Sequence, residues 1–182
     1  MTRLISLCLL LFVAACTTTR TPVEYVSIAE DIEIRLPRPP GFPGQYEDQP
    51  RLRLSANGEG GTVNAIIQMT PDLVFFRISH PTGPTLLEAE WTVDGIVERR
   101  APRVPQQLRA EEMLATLFIA LWPAEQVRAA LPAHASLKEY PDGRAIEAME
   151  RTVLAVRRTR RGLLIDHFDY GYNFEVAGLN LQ

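Results

Sequence analysis

Between residues 51 and 100 apolar side chains recur at every second position in short runs, and each run ends in residues that favour a reversal of the chain. That rhythm commits this part of the chain to half-buried β-strands. The runs are Leu52 with Leu54, residues 63–69, 73–78 and 86–93, and Ile96 with Val97. Between them stand Asn57, Gly58, Gly60 and Gly61, then Pro71 and Asp72, then His80, Pro81, Gly83 and Pro84, then Asp94 and Gly95. Connections this short join antiparallel neighbours, so the expectation is a meander.

The period changes once. Leu114, Leu117, Phe118 and Leu121 fall at i, i+3, i+4 and i+7, one face of a helix expected over residues 107–122. Pro123 stops it and starts a second short helix over 124–131, which Pro132 closes. From Met113 to Trp122 only Thr116 is polar, so this kinked pair should be covered on more than one side. Strands then return at 136–140, 145–149, 152–156 and 163–176. The last of these is expected as one strand with Phe168, Tyr170, Tyr172 and Phe174 on a common face.

The N-terminus reads differently. Arg3 precedes an apolar run over residues 4–13, too short to span a bilayer, and then come Ala14, Ala15 and Cys16. This is the pattern of a secretory signal, and Val13, Ala14, Ala15 and Cys16 resemble the lipobox of bacterial lipoproteins. The resemblance implies cleavage before Cys16 and acylation of its thiol, with the membrane reached through that lipid. Thr17 stands where an aspartate signals inner-membrane retention, so the expected location is the periplasmic face of the outer membrane. Residues 1–15 are then signal peptide. The proline-rich start of the remainder suggests a flexible lipidated tether over 16–30, followed by a single domain over 31–182 whose first strand lies at 31–36.

Cleavage leaves 167 of the 182 residues, enough for one substantial core. It removes Arg3 and no acid, so 18 basic residues face 22 acidic ones, and no nucleic-acid partner is expected. Cys8 lies in the signal and Cys16 in the lipid anchor, so no thiol is expected for a disulfide, a metal or catalysis. His167 and Asp169 would share a strand face as half a metal site, but neither His80 nor His134 completes it at a recognisable spacing. Ser27, Ser55, Ser79 and Ser136 lie in no nucleophile motif, and Glu88 with Glu90 reads as a solvated acidic pair. The expectation is a non-enzyme without cofactor or metal.

Two features suggest binding. Arg157, Arg158, Arg160 and Arg161 mark a basic turn that suits lipid phosphates or an acidic envelope protein, or simply solubility. The aromatic sheet face and the helix carrying Leu114, Leu117, Phe118, Leu121 and Trp122 form either a closed core or the walls of an apolar cavity.

The order of lipobox, tether, strands, helical insertion and strands resembles the LolA/LolB-like half-barrels. Leu108, Arg109, Ala110, Glu111, Glu112, Met113, Leu114 and Ala115, running into Ala120, Leu121, Trp122 and Pro123 and then Arg128, Ala129, Ala130 and Leu131, are similar to an uncharacterised domain-of-unknown-function family of proteobacterial lipoproteins; so is the ending Asp169, Tyr170, Gly171, Tyr172. Members are often encoded with aryl-polyene or fatty-acid-like biosynthesis clusters. The resemblance implies an α+β fold: an antiparallel, strongly curved sheet, an incomplete β-barrel, covered by the kinked helical pair. The leading expectation is a monomer that binds or helps place a hydrophobic lipid product, an aryl-polyene lipid or a lipoprotein acyl chain. A structural adaptor without ligand is the alternative, and an enzyme acting on the same lipid the third.

Overall fold

The computed structural model describes residues 17–21, 24–56, 59–102, 104 and 108–178. The signal peptide and Cys16 lie outside them. The fold is α+β, with fourteen strands and two helices among the described residues.

The meander forms as its turns dictate. β5 (Arg51–Ala56), β6 (Glu59–Met69), β7 (Val74–Ser79), β8 (Thr85–Thr92) and β9 (Gly95–Arg100) pair in sequence order, all antiparallel. β4 (Tyr46–Asp48) extends the β5 side of β6, broken from β5 at Pro50, which has no N–H to give to a ladder. The second half repeats the device with β10 (Ala135–Tyr140), β11 (Gly143–Ala148), β12 (Arg151–Thr159), β13 (Gly162–His167) and β14 (Tyr172–Ala177). β14 then pairs with β5, which welds the two meanders into one sheet. Gly162 makes the β12–β13 turn possible, since its φ is +140° and a Cβ there would lie 2.0 Å from the Val176 carbonyl oxygen. The sheet runs from β1 (Thr17–Thr21), beside β9, to β10, and these two edges do not pair, so it stays open.

Two expectations are corrected here. The stretch taken as tether contains β1, paired from Thr17 onward with β9, and β2 (Tyr25–Ala29), paired with β3 (Ile32–Arg35) as a separate two-stranded sheet. Val26, Ile28, Ala29, Ile32, Ile34 and Leu36 are all buried, so this hairpin belongs to the core, and its apolar alternation outweighs the surrounding prolines. The other correction concerns 163–176, which is a hairpin. The chain reverses through residues 168–171, where Gly171 takes φ +66°.

α1 (Ala110–Leu121) and α2 (Ala124–Ala130) form the expected pair, broken at Trp122 and Pro123. α1 packs against β2 and β8, so the helices share the cover with the β2–β3 hairpin. No helix among the described residues is long and apolar enough to cross a membrane.

Candidate functional site: an apolar seam beside the central helix

α1 is held at both ends by side chains from the sheet. At its N-terminus Glu98 accepts a hydrogen bond from the Ala110 N–H (2.9 Å) while Arg100 bonds both Glu98 (2.6 Å) and the Leu108 carbonyl (2.7 Å). At its C-terminus Arg144 donates to the carbonyls of Ile119 (3.2 Å) and Trp122 (2.7 Å). An acid at the start and a cation at the end match the helix dipole, so the helix is fixed in place rather than merely laid on the sheet.

One face of α1 is solid core. Trp122 stacks on Trp91 with centroids 5.8 Å apart, meets Phe118 at 5.4 Å and Phe42 at 4.9 Å, and donates its indole N–H to the Pro40 carbonyl at 2.8 Å. Leu114 and Trp122, expected to line a cavity, are completely enclosed packing residues, whereas Phe118, almost fully buried, also borders a cleft with Leu36, Pro37 and Ala130.

The face toward β5, β6, β7, β13 and β14 is looser. Met113, Thr116 and Leu117 look across at Leu52, Ala65, Ile67, Phe76, Ile165, Phe174 and Val176, and between them lies a cavity of about 30 Å³. The walls are apolar. Thr116 is the one polar residue among them, and its hydroxyl is committed to the Glu112 carbonyl at 2.8 Å. The volume is that of roughly one water molecule, but a water there would find no partners. Of the expected cavity residues, Leu117 and Phe174 line this seam, while Leu121 faces a different cleft, beside Arg144 and Arg158. Phe168 is corrected to a solvent-facing turn residue, 55% exposed, and Tyr170 shares that turn.

Beyond Phe174 the seam turns polar. Tyr172 is 4.9 Å from Phe174 and pairs in register with His167, their rings 4.8 Å apart, while Tyr170 stacks on the imidazole at 5.0 Å. His167 follows Leu163 and Ile165 on the inward face of β13 and is 1% exposed. Neither ring nitrogen has a hydrogen-bond partner among the described residues, an omission that costs roughly 1–3 kcal/mol for a buried polar group. Burial pushes its pKa from 6.5 down to about 4, against the pull of Asp169. Glu112, on α1, is nearly buried; desolvation pushes its carboxyl from 4.5 up to about 7, with Arg109 opposing and Glu111 assisting. Burial, Glu112 and Tyr170 together raise Tyr172.

Sequence reasoning missed Met113, the wall residues of the strands, Glu112 and the burial of His167. The available signal was the alternation of Leu163, Ile165 and His167, which places the histidine on the core face. Asp169 does not share that face: it lies in the turn and pairs with Arg151, which also reaches Asp31 at 2.7 Å. No group of three His, Cys, Asp or Glu side chains that could hold a metal occurs among the described residues.

The basic residues separate. Arg157 pairs with Asp166 at 2.6 Å, Arg158 stands beside Arg144, and Arg160 with Arg161 makes the exposed β12–β13 turn.

A family described as a protein of unknown function, DUF3261, matches residues 47–180. The chain belongs to the DUF3261 family. The match takes in both helices, every residue lining the seam of this DUF3261 domain, and the His167–Tyr172 pair, whereas β1 to β3 precede it. A comparison with the curated proteins gives no match.

Proposed function

We propose that the protein is a non-enzymatic lipoprotein, anchored through acylated Cys16 on the periplasmic face of the outer membrane, which shields the apolar chain of a lipid, of acyl or aryl-polyene type, in the seam beside α1. In this reading the open sheet acts as a strongly curved, incomplete barrel of the LolA/LolB type. One observation carries the proposal: both walls of the seam are apolar and its single hydroxyl is already bonded. A hydrocarbon chain would be held there by burial alone, at roughly 0.8 kcal/mol per methylene. Because α1 is fixed at both ends, space comes from side chains, and Met113, unbranched with three rotatable bonds, and half-buried Leu117 are the ones able to withdraw.

The small volume of the cavity favours a second reading, a tethered adaptor that binds no ligand. The two separate in one experiment on the full chain carrying Cys16→Ser. Native mass spectrometry and titration with parinaric acid methyl ester, a fluorescent polyene chain, should show bound lipid and a saturable site. Protein that is repeatedly empty and leaves the probe dark would leave the adaptor. Palmitate labelling that persists in the Cys16→Ser chain would remove the anchor.

A further inference from the structure

The seam is not symmetrical end to end. Followed along β14 from Val176 through Phe174, its apolar wall stops at Tyr172, and on β13 the wall of Leu163 and Ile165 stops at His167. On the facing helix, Glu112 stands immediately before Met113 and one turn before Thr116, both seam residues. Glu112 acts by charge on Tyr172 and Tyr170, and Tyr172 lies against His167, so polar side chains from three elements gather where the hydrocarbon lining ends. Their surroundings are specific: Arg109 and Glu111 accompany Glu112 on α1, Asp169 and Tyr170 come from the turn, and Ser27 of β2 holds the Tyr170 hydroxyl at 3.1 Å.

His167 is the decisive member. A neutral imidazole carries one donor and one acceptor, and here both are buried and unused. A histidine kept only for packing would be expected to lend at least one nitrogen to a neighbour, since buried polar side chains are almost always bonded. Rings close both flanks of the imidazole, and Tyr170, on the exposed turn, is the flank a ligand would have to displace from its stacks on His167 and Tyr172 and its hydroxyl contact with Ser27.

We infer that His167, Tyr172 and Glu112 form a head-group site at the polar end of the seam, and that its ligand is a single-chain amphiphile ending in a protonated oxygen group, an alcohol or a carboxylic acid. This rests on the carrier reading above. Such a group both donates and accepts, which is what an unpaired neutral imidazole lacks. An ionised carboxylate would lose its water beside the buried Glu112 without gaining a cation, since Arg109 is taken by Glu111 and Glu112 and Arg151 by Asp169 and Asp31, and a phosphate would bring still more charge into the same place.

Parinaric acid and its methyl ester test this on the full chain carrying Cys16→Ser, in mildly acidic buffer. The ester has the same chain but no donor. The acid should bind about tenfold more tightly than the ester, the worth of a buried polar group gaining its partner. His167→Phe should erase that preference by bringing the acid down to the affinity of the ester, and Tyr172→Phe, which keeps the ring, should reduce it. Ring-nitrogen NMR on the Cys16→Ser chain with His167 intact provides a readout independent of variant folding, because acid but not ester should shift the His167 signals. Equal affinity for the two probes, or unmoved His167 nitrogens on saturation with acid, overturns the head-group site and leaves the carrier standing. Failure of both probes to bind overturns the carrier, and the head-group site with it.

Discussion

His167 and Tyr172 face each other across the β13–β14 hairpin with ring centroids 4.8 Å apart, and neither imidazole nitrogen has a hydrogen-bond partner among the described residues. Close by, Glu112 is equally out of place as a charge, and the two groups are displaced in opposite directions. Between pH 4.5 and about 7 the folded protein keeps on Glu112 a proton that the unfolded chain releases. That contribution to stability is complete below 4.5 and lost as pH rises through about 7. Below pH 6.5 the unfolded chain takes a proton that His167 refuses until about 4, so its contribution is complete above 6.5 and lost as pH falls through about 4. In the shared window the two slopes oppose. Urea midpoints measured across it should be nearly level for the parent chain, rise with pH in Glu112→Gln and fall with pH in His167→Phe. The swing should be on the order of 1–2 kcal/mol for each, allowing for water near the carboxylate. Level profiles in both variants would show that the two groups do not titrate in this way.

The seam can be widened or closed without touching the core face of α1. Leu117→Ala removes a half-buried wall residue and should cost about 2 kcal/mol in stability while tightening binding of parinaric methyl ester, because the created volume is open to a chain. Ala65→Leu pushes three carbons into a space of about 30 Å³ and should abolish probe binding in a chain that still unfolds cooperatively. An adaptor that binds nothing would show the stability changes alone.

Trp122 belongs to the fold rather than to the seam. It stacks on Trp91 and bonds Pro40, so Trp122→Phe loses a buried hydrogen bond and part of an aromatic contact at once. Thermal unfolding should show a loss of about 2–3 kcal/mol, with ester affinity of the folded molecules unchanged. A selective loss of probe binding at unaltered stability would instead return Trp122 to the ligand.

The strand order of both meanders and the position of α1 were legible because period and turn chemistry coincide there: Asp94 and Gly95 end one strand, and Pro123 ends the helix. β2 was not, because Pro22, Pro37, Pro39 and Pro40 dominate the composition around Val26, Ile28 and Ala29, and local composition carries no information on which layer an alternating run will join. The hairpin within 163–176 was hidden for a related reason. Phe168 and Tyr170 continue the alternation straight through the turn, and only Asp169 and Gly171 spoke against one long strand. Missing that reversal set Phe168 on the core face and paired His167 with Asp169. The helix face gave Leu114, Leu117 and Phe118 equal claims on a cavity, and only the three-dimensional contacts with Trp91 and Phe42 separate packing residues from seam residues.

The β11–β12 hairpin should be easy to improve. Ala148 pairs with Arg151, leaving Met149 and Glu150 as a two-residue loop in which both residues take left-handed backbone conformations, φ 47° and 63°. Non-glycine residues hold that region at a cost, and Met149, 65% exposed, recovers little of it by packing. Loops of this kind favour Asn followed by Gly, whose backbones enter the left-handed region readily. Replacing Met149 by Asn and Glu150 by Gly should therefore stabilise the protein by about 1 kcal/mol in urea unfolding. Neither Met149 nor Glu150 lines the seam, so parinaric methyl ester affinity should be unchanged. A loss of stability would mean that this hairpin does not turn through two left-handed residues, and that the register of β11 against β12 differs from Ala148 opposite Arg151.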